Sequence, residues 1–278
     1  EAESKRGFDG RFGPGLPAIS DGQMLFMLNG IKKLKEGSGR MAIIQNGSSL
    51  FTGDAGSGAS EIRRYVIKGD LVEAIIQLPT DLFYNTGIST YIWVLTKGKA
   101  MHRSGKVQLI DASKCFVKRR KNIGSKRVDL NDACIDLILR AYKGFMDETY
   151  EENGLIVESK VFENSFFGFT KVTVETAQAD EKGNPILKKG KKQPVKGASD
   201  TEIIPLSEDM DTYMEKNVLP YNPLAYIDPA KDKIGYEVPF TRLFYKFVAP
   251  ESSDSIFEDI KALEAEETIL MKELFGHA

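Results

Sequence analysis

Residues 71–97, LVEAIIQLPTDLFYNTGISTYIWVLTK, decide the fold. Val72 to Leu78 is an apolar, β-branched run, too short for a helix of its own, and Pro79 stops it. A loop with Phe83 and Tyr84 at its middle and Thr86-Gly87 near its end follows. A second β-rich run, Ile88 to Leu95, closes the unit before Lys97-Gly98-Lys99 enters solvent. Runs that do not alternate in polarity read as strands buried on both faces. The connection, about nine residues, is shorter than a parallel crossover, which needs a dozen or more. The pair therefore reads as antiparallel neighbours inside a larger, otherwise parallel sheet, and the fold class is α/β.

Upstream, Met41 to Ile44 reads as a strand, followed by a glycine-rich loop and a helix capped by Ser60. Ile62, Tyr65 and Val66 face inward in that helix, and Gly69 ends it. Before it, Ser20 and Gln23 make a capping box. The helix they open carries a stripe of Met24, Leu25, Met27, Leu28, Ile31 and Leu34 and stops at Gly37. Residues 1–19, rich in glycine and proline, read as loop.

Downstream, Lys106 to Asp111 is a further strand, and Asp129 caps a helix to Phe145 with Ile135, Ile138, Leu139 and Tyr142 inward. Composition shifts near residue 150. Residues 160–206 read as a β-hairpin region: FGFTKVTVET alternates, 180–184 turns, and ILKKGKKQPVK returns. Ser207 caps a short helix to Asn217, and Pro220, Pro223 and Pro229 hold an extended segment. Ser255 and Glu258 box the start of a terminal helix. Its Ile256, Ile260, Leu263, Leu270 and Leu274 follow a 4-3 spacing, interrupted by Glu267. The expected organisation is an α/β part over 1–148, a β-hairpin and extended region over 149–250, and a helical tail over 251–278.

The 278 residues are 41% hydrophobic and 28% charged with a net charge of −2, so nucleic acid would have to meet local basic patches rather than a polycation. The two cysteines, Cys115 and Cys134, have no metal-ligand spacing and fit a reducing, cytoplasmic compartment. No apolar run is long enough to span a membrane. The polar, glycine-rich start without an initiator Met reads as a piece of a longer polypeptide.

The two histidines, His102 and His277, lie in a charged linker and in the last two residues, which leaves no Ser-His-Asp triad and no histidine metal site. Gly53 and Gly58 have the spacing of a phosphate loop, but Ala59 stands where the lysine must be, so a mobile loop at the strand's carboxyl edge is the better reading. Asn222-Pro223-Leu224-Ala225-Tyr226 approaches the Asn-Pro-Pro-aromatic turn of amino-methyltransferases, but it lacks the second proline and its aromatic falls one place late. Residues 113–127, SKCFVKRRKNIGSKR, are the most basic stretch. Lys118, Arg119, Arg120 and Lys121 are candidates for DNA phosphates there, a solvated loop being the alternative. The five lysines of 186–196 read as a solvated arm before they read as a DNA contact.

GRMAII, NGSSLFTGDAGSGASEIRR and LVEAIIQLPTDLFYNTGISTYIWVL together resemble the modification (M) subunit of type I restriction-modification enzymes. The likeness extends upstream to RFG and SDGQMLF and downstream to KVQLIDASKCFVKRRK, DTEIIPL and KIGYEVPFTRLFYKF. The resemblance implies an adenine-N6-specific DNA methyltransferase that uses S-adenosylmethionine. It implies the C-terminal half of a Rossmann-like methyltransferase sheet, with DNA, a specificity subunit and a restriction subunit as partners. The family's glycine-rich cofactor motif and its Asn-Pro-Pro-Phe both lie upstream of the matching segments, so no catalytic residue and no cofactor motif is assigned in this chain.

By the same resemblance, an aromatic in the loop between the last two strands stacks on the flipped adenine, a role for Phe83 and Tyr84. The terminal stripe is then a contact for the specificity subunit. Asn29 departs from the histidine common in relatives. A non-catalytic assembly module that holds DNA and a specificity subunit is the alternative. A small-molecule or protein methyltransferase would share the sheet but would not need the basic stretch or the terminal helix.

Overall fold

In the computed structural model, which describes residues 2–276, the two apolar runs pair antiparallel, with Ile75 opposite Trp93 and Ile76 opposite Ile92. Along the chain come α1 (Gln23–Lys33), β1 (Arg40–Asn46), α2 (Ser48–Phe51), α3 (Gly58–Lys68), β2 (Val72–Gln77), β3 (Thr90–Thr96) and β4 (Lys106–Asp111). Next are β5 (Val117–Ile123), β6 (Lys126–Asp129), α4 (Asp132–Gly144), β7 (Glu148–Glu152), β8 (Leu155–Glu163) and β9 (Gly168–Ala177). Then follow β10 (Leu187–Lys188), β11 (Lys191–Lys192), β12 (Pro194–Pro205), α5 (Met210–Asn217), β13 (Ala225–Ile227), β14 (Lys233–Tyr236), α6 (Phe240–Phe244) and α7 (Ser253–Phe275). His277 lies outside the described residues.

The main sheet has the order β1-β3-β2-β4-β8-β7. β3 runs antiparallel to both β1 and β2, and β2 runs parallel to β4. One antiparallel strand between two parallel ones is the closing unit of the methyltransferase-type sheet that the resemblance implies. The sheet does not stop at residue 148, because β8 hydrogen-bonds along the whole of β4 and carries β7 beside it. A smaller sheet gathers β12, β13 and β14 onto β9. Among the described residues β1 is paired on one side only.

Both faces of the central strands are covered, as their unbroken apolar runs require. Ile76 and Ile110 pack under α4 with Cys134, Leu137, Ile138 and Ala141. On the other face Trp93, in register with Ile75 and fully buried, donates its indole N–H to Ser49 Oγ of α2 over 3.1 Å. α4 is turned relative to its expected stripe: Ile138 is buried, whereas Ile135 and Leu139 are exposed. Its buried residues follow the i, i+3, i+4, i+7 pattern from Cys134. Tyr65 of α3 is likewise exposed rather than inward.

The helix caps are displaced from the expected residues. Ser57, not Ser60, caps α3, and Ser252, not Ser255, caps α7. In both, the expected cap is the third helical residue, and its own N–H donates to the true cap. Asn131 caps α4 and Asp209 caps α5, in place of Asp129 and Ser207. α1 has no side-chain cap, and Ser20 lies before it.

Arg63 of α3, which no pattern flagged, fastens the two sheets. It is buried and donates to Tyr236 O at 2.6 Å, Thr52 O at 2.9 Å and Ser49 O at 3.2 Å. Burial pushes its pKa down to about 10, against the opposing pull of the Glu237 charge. The chain divides into two units, Glu1–Leu243 and Phe244–Ala278. The second is essentially α7.

Candidate nucleic-acid interface

The carboxyl ends of β2 and β4 lead into the aromatic loop and into the basic stretch, so the parallel arrangement of these strands brings the two segments to one edge of the sheet. That edge is where open α/β sheets bind ligands. The aromatic loop closes on itself: Leu78 N donates to Thr90 O at 2.8 Å, and Phe83 bridges Thr86. Its two aromatics are placed differently. Phe83 is half-buried against the cluster of Leu78, Leu82 and Val128, together with Phe116 and Leu130. Tyr84 is 68% exposed.

The basic stretch forms the hairpin β5–β6. Its tip lies against the aromatic loop. Ser125 N donates to Tyr84 O and Arg127 N to Asp81 O, both at 2.9 Å, and Val128 joins the Phe83 cluster. Gly124, at φ +57°, makes this approach possible, because a Cβ there would collide with the Tyr84 carbonyl oxygen.

The four phosphate candidates are not equivalent. Lys118, Arg120 and Lys121 are exposed. Arg119 is half-buried, ion-paired to Asp129 and bonded to Lys121 O at 3.1 Å. The hydrogen bond from Lys126, and then that from Arg119, hold the Asp129 carboxyl below its usual range. Arg119 therefore shapes the hairpin, and the three exposed cations of β5, with Arg127 on β6, are its exposed charge.

Residues 2–182 match the family model described as N-6 DNA Methylase. The chain belongs to this family. Among other N-6 DNA methylases it is 34% identical over 108 residues to the type I restriction enzyme MjaVIII methylase subunit of Methanocaldococcus jannaschii, covering 39% of this chain and 18% of that protein. It is 28% identical over 185 residues to the type I restriction enzyme HindI methylase subunit of Haemophilus influenzae, covering 65% of this chain and 40% of that protein. The methyltransferase subunit of a type I restriction-modification system from Streptococcus thermophilus superposes with a TM-score of 0.49 at 30% identity, over 59% of this chain and 32% of that one. The chain thus spans less than half the length of these relatives.

Within this N-6 DNA methylase chain the glycine-rich loop 53–58 is packed against its own neighbours. Gly56 N donates to Ile234 O at 3.1 Å, Asp54 accepts from Lys171 at 2.8 Å, and Gly58 lies against the Leu16 backbone. The loop therefore does not fit a cradle for S-adenosylmethionine. The Asn222 side chain is also committed. Its amide donates to Thr176 Oγ1 at 2.7 Å and its oxygen accepts from Leu224 N at 3.3 Å, so it pins a turn and is not presented to a base. Asn29 Oδ1 accepts from Arg11 at 2.9 Å, a structural bond on the surface.

No group of metal-ligating side chains is assembled among the described residues, and no helix there is long and apolar enough to cross a membrane. Ile256, Ile260, Leu263, Leu270 and Leu274 of α7 are all exposed, Leu263 at 64%.

Proposed function

We propose that this chain is the DNA-engaging and subunit-docking portion of a type I modification subunit, which as a whole transfers a methyl group from S-adenosylmethionine to adenine N6 in cytoplasmic DNA. The observation that carries the reading is the junction of Ser125 N with Tyr84 O, which fixes an exposed aromatic beside the tip of a basic hairpin. An extruded base loses its stacking partners, and an aromatic face restores part of that loss. Tyr84 offers the free face; Phe83 supports the loop from beneath. Lys118, Arg120 and Lys121 neutralise phosphates around the extruded nucleotide, and Arg119 stiffens their strand through Asp129.

The cofactor and the catalytic asparagine turn are drawn from parts of the subunit for which the described residues offer no equivalent. The apolar stripe of α7 takes helices of the specificity subunit, and the restriction subunit joins that assembly. The assembly-module alternative shares these surfaces and differs only in lacking turnover. The experiment is fluorescence of 2-aminopurine at the target adenine, with the full-length subunit in its assembled complex. Tyr84→Ala is expected to bind duplex DNA with the wild-type salt dependence yet to change the flipped-base signal and slow methylation. Unaltered fluorescence and unaltered methylation would remove Tyr84 from the target site.

A further inference from the structure

We infer that β10–β11 is a second DNA-backbone contact, a lysine prong separate from the target-base loop. The inference rests on the DNA-binding reading above and extends it to residues outside the family match, which ends at 182. Between Pro185 and Ser199 the sequence has Lys188, Lys189, Lys191, Lys192 and Lys196 and no acidic residue. A solvated arm would also have this composition. The backbone argues for more.

The prong is built, not loose. Ile186 N donates to Gln178 O and Gln178 N to Gln193 O, both at 2.7 Å, and Gln193 N returns to Ile186 O at 3.1 Å. At its base Lys192 Nζ stands 5.2 Å from the centroid of the Tyr226 ring. Beyond that base, every residue from 186 to 192 is exposed. The tip is a two-residue turn with both central residues left-handed, Lys189 at φ +53° and Gly190 at φ +77°. Such turns favour Asn-Gly, because an ordinary side chain is strained at the first position. Here that position holds a lysine.

The register adds a second cost. Lys188 lies directly opposite Lys191, a like-charge pair that weakens a hairpin of this length. Among the described residues no carboxylate forms an ion pair with either, the nearby Glu175 and Asp228 being paired with Lys231. Of the two acids that precede the prong in sequence, Asp180 is turned into its own turn and accepts from Lys182 N and Asn184 N at 2.9 and 2.8 Å, and Glu181 is exposed in that same turn. A local sequence that is unfavourable twice over, on an exposed hydrogen-bonded hairpin, points to a position whose charge has a use. A polyanion removes the repulsion on contact, and the duplex phosphate backbone is the polyanion that this chain's proposed function supplies.

The test uses the full-length subunit in its assembled complex. Binding to target and non-target duplexes is measured over a range of salt for the wild type and for K188Q/K189Q/K191Q. The variant is expected to bind both duplexes more weakly by the same factor. Its log–log salt slope should be shallower by about two to three units, close to one per lost phosphate contact. Replacing the same lysines with arginine should restore the slope, and the 2-aminopurine signal at saturating protein should stay at the wild-type level. An unchanged slope in the glutamine variant, with the wild type binding normally, overturns the prong and leaves the target-loop reading intact. A slope that changes on RNA but not on duplex DNA also overturns it. Absence of DNA binding by the wild type overturns both readings.

Discussion

The amide of Ser125 donates to the carbonyl of Tyr84 over 2.9 Å, so the tip of a basic hairpin and the tip of an aromatic loop are held as one piece. Forty residues of sequence separate them. What joins them is the parallel pairing of β2 with β4, which delivers both following segments to the same edge.

Gly124→Ala should break that junction. An alanine at φ +57° pays roughly 1–2 kcal/mol for the left-handed conformation. Its Cβ also cannot share space with the Tyr84 carbonyl. Hydrogen exchange at the Ser125 and Arg127 amides should accelerate while the sheet amides stay protected. Unchanged exchange at both would mean that the contact does not hold the hairpin.

Phe83 and Tyr84 should separate stability from activity. Phe83→Ala empties part of an apolar cluster and is expected to cost about 1–3 kcal/mol, less than full burial would give. Tyr84→Ala should leave the melting temperature nearly unchanged and lower the methylation rate of the full-length subunit. Thermal melts beside methyl-transfer assays check both, and the reverse pattern would exchange the two roles.

Asp70 should make stability depend on acid. Burial alone raises its carboxyl pKa, but Lys99, Asn164 and the Gly105 amide outweigh it and hold the group below its usual range. Asn164 Nδ2 lies at 2.8 Å and Gly105 N at 3.0 Å. A depressed folded pKa gives stability that is present at neutral pH and lost as pH falls through that value. Asp70→Asn should therefore cost on the order of 1–3 kcal/mol at neutral pH. Urea melts should show that gap closing below the carboxylate range, and a constant gap would exclude Asp70 as the source.

Arg63→Met should show what links the two sheets. It leaves the carbonyls of Ser49, Thr52 and Tyr236 without their donor, at roughly 1–3 kcal/mol for each buried group that water does not reach. Protease sensitivity should rise first around residues 49–56 and 234–238. If cleavage instead begins in β7–β8, the link lies elsewhere.

Leu263→Asp tests α7. The residue is exposed in this chain, so the variant should fold with the wild-type melting temperature. A charge in the centre of an apolar seam is costly to bury, so the variant should fail to co-purify with its specificity subunit. Normal co-purification would take the docking role from this stripe.

The central pair of strands was legible because burial on both faces leaves an unbroken apolar run, a signal that survives without context. The helix starts were legible only to within a turn. At α3 and α7 two serines stand three residues apart, and only the folded chain shows which is the cap. The four basic residues of the candidate site were visible as composition, but the pairing of Arg119 with Asp129 depends on hairpin register, which charge counting does not give. Arg63 left no pattern at all: its partners are backbone carbonyls, and any sequence supplies those.

β1 has one further consequence. Its sequence, RMAIIQN, carries no proline and no lysine to guard an edge, and Arg40 is drawn to Glu73 at 3.0 Å. Ile44 stands half exposed on a strand that has no strand neighbour on its outer side among the described residues, where only the Asn46 end is covered, its N–H donating to Gln23 Oε1 and its carbonyl accepting from Ser49 Oγ. Such an edge is a template for any extended chain. The polypeptide purified by itself should thus self-associate with rising concentration, and its shelf life will depend less on its surface charge than on how soon a matching strand is supplied.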